Sequence, residues 1–174
     1  MMSLKTEYLL QKEVDLVLAA LMPGNRLVME VMLHTGLRVG DVLALRTAQI
    51  KERFWITEQK TGKRKAVGLP AELRARIMAQ AGPVWAFPGR DPAKPRTRQA
   101  VWKDVKRAAK AFRLPQNVGT HSGRKVYAVE LRKKYGDLER VARALNHSNM
   151  ETTLIYALAD MRLTAAAGKK RKRS

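Results

Sequence analysis

The stretch Thr35-Gly36-Leu37-Arg38-Val39-Gly40-Asp41 divides two predicted helices and predicts how the chain turns between them. Before it, apolar residues at helical spacing predict a helix that ends at His34-Thr35-Gly36. After it, Val39 to Leu45 predicts a short third helix. An arginine and an aspartate therefore lie at the start of a helix, where such a pair on its own is more often a structural ion pair than a reactive site.

Outward from this stretch, the sequence predicts an α+β fold that is mostly helical with one small antiparallel sheet. Residues 4–21 form a predicted helix, which Pro23-Gly24-Asn25 breaks. Two predicted strands, 53–57 and 65–69, flank a polar turn at 59–63. Further helices are predicted after Pro70, after the cap residue Thr97, and at about 121–134, 137–145 and 149–158, with loop at 82–96.

The composition points to a polyanionic partner. The 174 residues include 35 Lys and Arg against 15 Asp and Glu, a formal net charge of +20. Such an excess weakens a fold by self-repulsion unless a polyanion offsets it, and nucleic acid is the commonest such partner. The absence of cysteine excludes a disulfide scaffold and a cysteine nucleophile. No apolar run approaches the roughly 20 residues needed to span a membrane, so we expect no membrane partner and a cytoplasmic location.

Six side chains have the chemistry that phosphodiester cleavage requires. They are Arg38, Lys60, His121, Arg124, His147 and Tyr156. Singly, each has an ordinary structural interpretation, such as a solvated lysine at a hairpin tip or a tyrosine in the core. Together, two guanidiniums can hold the non-bridging oxygens of a phosphate. Nearby cations and a general base can offset the cost of ionising a tyrosine hydroxyl, about 4 kcal/mol at neutral pH.

The order of these six residues resembles the catalytic pattern of the tyrosine recombinase (phage integrase) family. The similar stretches are Thr35–Asp41 for the first-arginine box, Lys60 for the strand-turn lysine, Thr120-His121-Ser122-Gly123-Arg124 for the His-x-x-Arg box, and Leu145–Tyr156 for the final box. In the final box the histidine lies nine residues before the tyrosine. The match covers about residues 5–160 and implies the catalytic-domain fold of that family, which we expect to be bacterial or phage-encoded here.

Two positions depart from the family pattern, and the assignment of the lysine has competitors. Asn146 stands where the family usually has glycine, and asparagine is the next best residue for a left-handed helix end. Gly123 stands where leucine is frequent, which weakens the start of the helix that carries Arg124. Lys63 and Lys65 lie close enough in sequence to compete with Lys60.

The resemblance implies a mechanism that needs no metal or other cofactor. Tyr156 attacks the scissile phosphorus, and a 3′-phosphotyrosine forms as a 5′-hydroxyl leaves. The other implied roles are phosphate binding for Arg38, Arg124 and His147, proton donation to the leaving oxygen for Lys60, general acid/base catalysis for His121, and the positioning of an arginine or of His121 for Asp41.

The resemblance also implies partners and an assembly. We expect double-stranded DNA as the partner and a homo-oligomer, a tetramer, on DNA, with a monomer allowed in its absence. Residues 1–168 would form the catalytic domain and 169–174 a basic disordered tail, without the N-terminal core-binding domain that most family members carry. The residues predicted to contact DNA phosphates are Lys63, Lys103, Lys106, Arg107 and Lys110.

Two functions stay open at this point. The residues favour a site-specific recombinase or integrase that cuts and rejoins DNA strands. The alternative is a non-catalytic accessory or architectural DNA-binding protein on the same fold, which would bind DNA without covalent attachment. A basic RNA-binding protein would explain the charge but not the ordered set of six residues.

Overall fold

The computed structural model describes residues 8–145, which contain seven α-helices, a short 3-10 helix (Thr47–Gln49) and a two-stranded sheet. The elements in chain order are α1 (Gln11–Ala20), α2 (Pro23–Thr35), α3 (Val39–Leu43), β1 (Arg53–Thr57), β2 (Arg64–Gly68), α4 (Ala71–Gln80), α5 (Arg98–Ala111), α6 (Thr120–Tyr135) and α7 (Leu138–Ala144). The mostly helical α+β fold with one small sheet is confirmed. The helix predicted at 149–158 and the tail at 169–174 lie outside the described residues.

Helix α2 is the centre of the packing. Its apolar residues recur three and four positions apart, so Val28, Val31 and Met32 are fully enclosed. The helix packs against α1, α3, α4, α5 and α6. The helix α3, which follows Arg38, and the helix α6, which carries His121 and Arg124, are therefore positioned directly by α2.

The start of α2 differs from the sequence prediction. Pro23 was predicted to break the preceding helix, but it is the first residue of α2, and the break is confined to Leu21 and Met22. Proline fits the first position because the amide hydrogen that it lacks has no partner there in any helix, and its fixed φ is already helical.

The end of α2 depends on Gly36. This residue has φ +67°, the left-handed conformation that ends many helices, and its N–H donates to the carbonyl of Met32 at 2.8 Å. A Cβ atom at this position would lie 2.3 Å from the ring of Tyr127. Glycine is thus required both by the turn and by the close approach of α6.

The sheet is an antiparallel pair in which Arg53 lies opposite Gly68 and Thr57 opposite Arg64. Phe54 and Ile56 face the core, whereas Trp55 is exposed on the other face. The first strand has the predicted bounds. The second begins and ends one residue earlier than predicted, because pairing continues to Arg64 next to the turn.

The segment between α4 and α5 forms no helix and no strand over residues 82–96, as predicted. Thr97 caps α5, since its hydroxyl accepts a hydrogen bond from the N–H of Ala100 at 3.1 Å. Among residues 8–145, no helix combines the length and the apolar character needed to cross a bilayer.

Asp104 links the junction of α1 and α2 to α5. One carboxylate oxygen accepts hydrogen bonds from the N–H of Met22 and the side-chain amide of Asn25, both at 2.8 Å. The other oxygen accepts from Arg107 at 2.9 Å. Burial alone would raise the pKa of Asp104, but these hydrogen bonds and the charge of Arg107 outweigh it and lower the pKa below its ordinary value.

We expect Asp104→Ala to lower the free energy of unfolding by on the order of 3 kcal/mol, because it leaves the buried amide of Asn25 and the N–H of Met22 without an acceptor and removes the partner of Arg107. Urea unfolding measures this loss. A suitable control is Glu130→Ala, which removes an exposed carboxylate paired with Lys133 at 3.0 Å and should cost less than about 0.5 kcal/mol. Equal losses in the two variants would contradict the role given to Asp104.

Candidate active site

The C-terminal end of α2 binds two cationic side chains. The carbonyl of Thr35 accepts a hydrogen bond from Lys65 Nζ at 2.8 Å, and the carbonyl of Gly36 accepts one from Arg124 Nη1 at 2.5 Å. Carbonyls at a helix end lack partners within the helix and carry partial negative charge. The end of α2 therefore stabilises two positive charges that come from β2 and α6.

Arg124 is held by two helix ends at once. Its Nη2 donates to the carbonyl of Leu145 at 2.5 Å, and Leu145 is the residue at which α7 ends. The residue is only 4% exposed, which is rare for an arginine. A guanidinium fixed in this way needs little reorganisation when charge develops next to it, which is what the stabilisation of a transition state requires.

Arg38 is held by a buried acid. Its Nη1 lies 2.9 Å from Oε2 of Glu58, and the hydroxyl of Thr61 donates to the same oxygen at 2.8 Å. Glu58 has no exposed surface. Burial alone would raise its pKa, but the hydrogen bonds from Thr61 and Arg38 and the positive charges nearby lower the pKa below its ordinary value. Glu58 is therefore ionised at neutral pH and orients Arg38.

Asp41 makes a different contact from the one that the sequence suggested. Its Oδ1 accepts a hydrogen bond from the backbone N–H of Gln59 at 2.9 Å, and its Oδ2 has no partner among residues 8–145. The carboxylate that contacts Arg38 is that of Glu58. The positioning role for Asp41 stays a prediction, and the contact observed joins α3 to the residue that precedes Lys60.

A cavity of about 440 Å³ brings several of the candidates together. The residues that line it are Arg38, Val39, Gly40, Asp41, Gln59, Lys60, Arg98 and His121. Lys60 and His121 are exposed, so the cavity opens to solvent. Three of the six candidate residues, together with Asp41, thus line the same cavity. His147 and Tyr156 lie outside the described residues.

Arg124 does not line the cavity, but its charge acts on the residues around it. Desolvation of the ring is the largest influence on His121, followed by the charges of Arg124 and Arg38, and together they lower the pKa of His121 below its ordinary value. A histidine with a lowered pKa is neutral at neutral pH. It can therefore accept a proton, as a general base must.

The three lysines of the hairpin occupy distinct positions. Lys60 lines the cavity, and Lys63 is exposed outside the lining. Lys65 donates to the carbonyl of Thr35, and burial together with the charge of Arg124 lowers the pKa of Lys65 to about 8. Among these three, the geometry favours Lys60 as the lysine that meets a ligand in the cavity.

The five residues predicted to contact DNA lie away from the cavity lining. On α5, Lys103 and Lys110 are exposed, whereas Lys106 donates to the side chain of Asn117 at 2.6 Å. Arg107 is paired with Asp104. Contact of these residues with phosphates stays a prediction, and the pairing of Arg107 shows a structural role that the sequence did not reveal.

Three cavity-region residues were missed by the sequence analysis: Glu58, Gln59 and Arg98. A signal for Glu58 exists, because the alternation along β1 places Phe54 and Ile56 inward and continues to Glu58. An inward-facing acid requires a buried cation as its partner. Gln59 and Arg98 meet across 39 residues of sequence, and no local pattern predicts that contact.

The lowered pKa of Lys65 predicts a pH dependence of stability. An unfolded lysine titrates near 10.5, so between about pH 8 and 10.5 the unfolded chain holds a proton that the folded protein has released. The contribution of Lys65 to stability therefore rises with pH over this window and is lost as pH falls through 8. Relative to Lys65→Met, the wild type should gain on the order of 3 kcal/mol across the window.

Unfolding curves at several pH values measure this difference. Lys63→Met provides the control, because Lys63 is an exposed lysine of the same hairpin, and its stability should follow that of the wild type at every pH. Parallel pH profiles for Lys65→Met and the wild type would show that the pKa of Lys65 is not lowered in the folded protein.

Known proteins share sequence and fold with this chain. The model of the phage integrase family matches residues 7–162. A probable integrase/recombinase of Bacillus subtilis (strain 168), YoeC, is 28% identical over 143 residues, which cover 79% of this chain and 78% of that protein. The integrase of Escherichia phage P2 is 31% identical over 155 residues, which cover 88% of this chain and 43% of that protein.

Solved structures show the same fold. The XerH site-specific recombinase bound to a palindromic difH substrate matches with a TM-score of 0.71 and 24% identity, over 93% of this chain and 52% of that one. A lambda integrase tetramer bound to a Holliday junction matches with a TM-score of 0.71 and 20% identity, over 86% and 47% of the two chains. This chain thus spans about half the length of three of these four proteins. On the extent of the family match, the chain belongs to the phage integrase family.

Proposed function

We propose that this chain is the catalytic part of a site-specific DNA recombinase, which cuts and rejoins DNA strands through a 3′-phosphotyrosine intermediate. The observation that carries the proposal is the convergence of Arg38, Lys60 and His121 on one open cavity, beside an Arg124 fixed between two helix ends. These groups supply what a phosphodiester transfer needs: cations for the phosphate, a donor for the leaving oxygen and a base.

The proposed reaction balances without an external energy source. The hydroxyl oxygen of Tyr156 attacks the scissile phosphorus and gives its proton to His121. The bond between phosphorus and the 5′ oxygen breaks, and Lys60 protonates that oxygen. Arg38, Arg124 and His147 hold the non-bridging oxygens as negative charge builds up. The phosphotyrosine bond keeps the energy of the broken strand, so the reverse steps rejoin the DNA.

We extend the proposal to the partner and the assembly. Double-stranded DNA fits the net charge of +20, and related structures hold a recombination substrate or a Holliday junction. A tetramer on DNA is proposed by analogy with the lambda integrase assembly. The accessory-protein alternative differs in one respect only, since it binds DNA and never attaches to it.

A DNA duplex nicked close to the cleavage position traps the covalent intermediate, because the short cleaved strand diffuses away. We expect the wild type to form an adduct that survives denaturing gel electrophoresis and Tyr156→Phe to form none. Tyr135→Phe is the matched control, since Tyr135 lies at the end of α6 outside the cavity, and it should react like the wild type. Binding by the wild type without any adduct would favour the accessory protein.

Glu58→Gln should slow adduct formation by about 10- to 100-fold, because the neutral amide no longer orients Arg38 by charge. DNA affinity should change little, since Glu58 has no exposed surface. Single-turnover kinetics on the nicked duplex separate the two effects. Thr61→Val removes the other hydrogen bond to Glu58 but keeps the ion pair, so it should have a much smaller effect. Equal rates for Glu58→Gln and the wild type would contradict the orienting role.

A further inference from the structure

Arg98 reaches the active-site cavity from a distant part of the chain. It is the first residue of α5, and its Nη2 donates to the side-chain oxygen of Gln59 at 2.8 Å. The residue is exposed and lines the same cavity as Arg38, Lys60 and His121. Its position was not predicted from the sequence and has no part in the mechanism described above.

Gln59 is placed so that it can orient this guanidinium. Its backbone N–H is bound by Asp41 at 2.9 Å, and its side-chain nitrogen donates to the carbonyl of Gly40 at 3.4 Å. The remaining atom of the amide, Oε1, accepts from Arg98. Both ends of the Gln59 side-chain amide are thus used, and the position of Arg98 is defined relative to α3.

Gly40 allows the guanidinium to lie directly against α3. A Cβ atom at this position would lie 2.3 Å from Nη2 of Arg98 and 2.6 Å from its Cζ. Any other residue would push the arginine out of its place. The approach also explains a glycine inside a helix, where glycine is otherwise unfavourable by about 1 kcal/mol.

The charge of Arg98 is oriented but not neutralised within the described part of the chain. Arg38 is paired with Glu58, Arg76 with Glu30, and Arg107 with Asp104. Arg98, by contrast, forms no ion pair there, and its one hydrogen-bond partner among residues 8–145 is a neutral amide. A fixed, exposed guanidinium without an acid suits the paired oxygens of an anion.

We propose that Arg98 binds a backbone phosphate of the DNA in this cavity, as a third arginine beside Arg38 and Arg124. This inference rests on the proposed function, because that function supplies DNA as the ligand. In this proposal, Gln59 and Gly40 position Arg98. A phosphate contact carries no sequence preference, so its contribution is the same on any duplex.

The test measures the affinity of the full chain for DNA at several salt concentrations. All variants carry Tyr156→Phe, so that cleavage does not interfere. Each neutralised phosphate contributes about −0.9 to the slope of log K against log salt. Arg98→Gln should therefore make the slope shallower by about 0.9 and lower the affinity about 10-fold at low salt. The same loss is expected on two duplexes of unrelated sequence.

Two further variants separate phosphate binding from general charge. Arg90→Gln removes one exposed positive charge outside the cavity lining, and its slope should stay close to that of the parent. Arg98→Lys keeps the positive charge, but an ammonium group lacks the planar set of donors with which a guanidinium can bind Gln59 and a phosphate at once. This variant should therefore keep the salt slope of the parent and bind DNA more weakly.

Two results would overturn the inference: equal slopes for Arg98→Gln and Arg90→Gln, or a loss confined to one duplex sequence, which would indicate a base contact. The nicked-duplex assay is independent of this test. Covalent adduct by the wild type together with an unchanged slope for Arg98→Gln rejects the inference alone. A shallower slope without any adduct keeps the inference and rejects the recombinase.

Discussion

The site depends on the carbonyl groups at the end of α2. Gly36 turns the chain into the left-handed conformation, and the carbonyls of Thr35 and Gly36 then point at side chains from β2 and α6. Lys65 and Arg124 each bind one of them. A single helix end therefore holds β2 and α6. Arg124 also binds the carbonyl of Leu145, which connects this helix end to the end of α7. The partial negative charge of that helix end offsets the repulsion between the positive charges of Lys65 and Arg124.

The two arginines are oriented in different ways, and the difference matters for the chemistry. Arg124 donates to the carbonyls of two helix ends, whereas Arg38 forms an ion pair with the buried carboxylate of Glu58. A buried ion pair adds little to stability once desolvation is counted, so the value of Glu58 lies in geometry. It holds the guanidinium of Arg38 at the cavity and places a negative charge next to it.

Most of the fold and half of the site could be predicted from the sequence. Helical periodicity, the Thr97 cap and the β1 alternation are local signals, and the elements that they predict are present. The order of the candidate residues also predicted that Arg38, Lys60 and His121 would meet. The alternation along β1 also predicts that Glu58 faces inward, but the sequence analysis did not include that residue in the site. The contact between Gln59 and Arg98 depends on how α5 packs beside α3, which no local pattern encodes.

The hairpin that carries Lys60 has an energetic consequence for the whole site. A two-stranded sheet is only marginally stable by itself, and this one is joined to the helices partly through Glu58 with Arg38 and Gln59 with Asp41. Three of the residues that dock the hairpin, Arg38, Asp41 and Gln59, also line the cavity. Occupancy of the cavity and docking of the hairpin are therefore thermodynamically linked, so an anion that binds Arg38 also changes the stability of the docked hairpin.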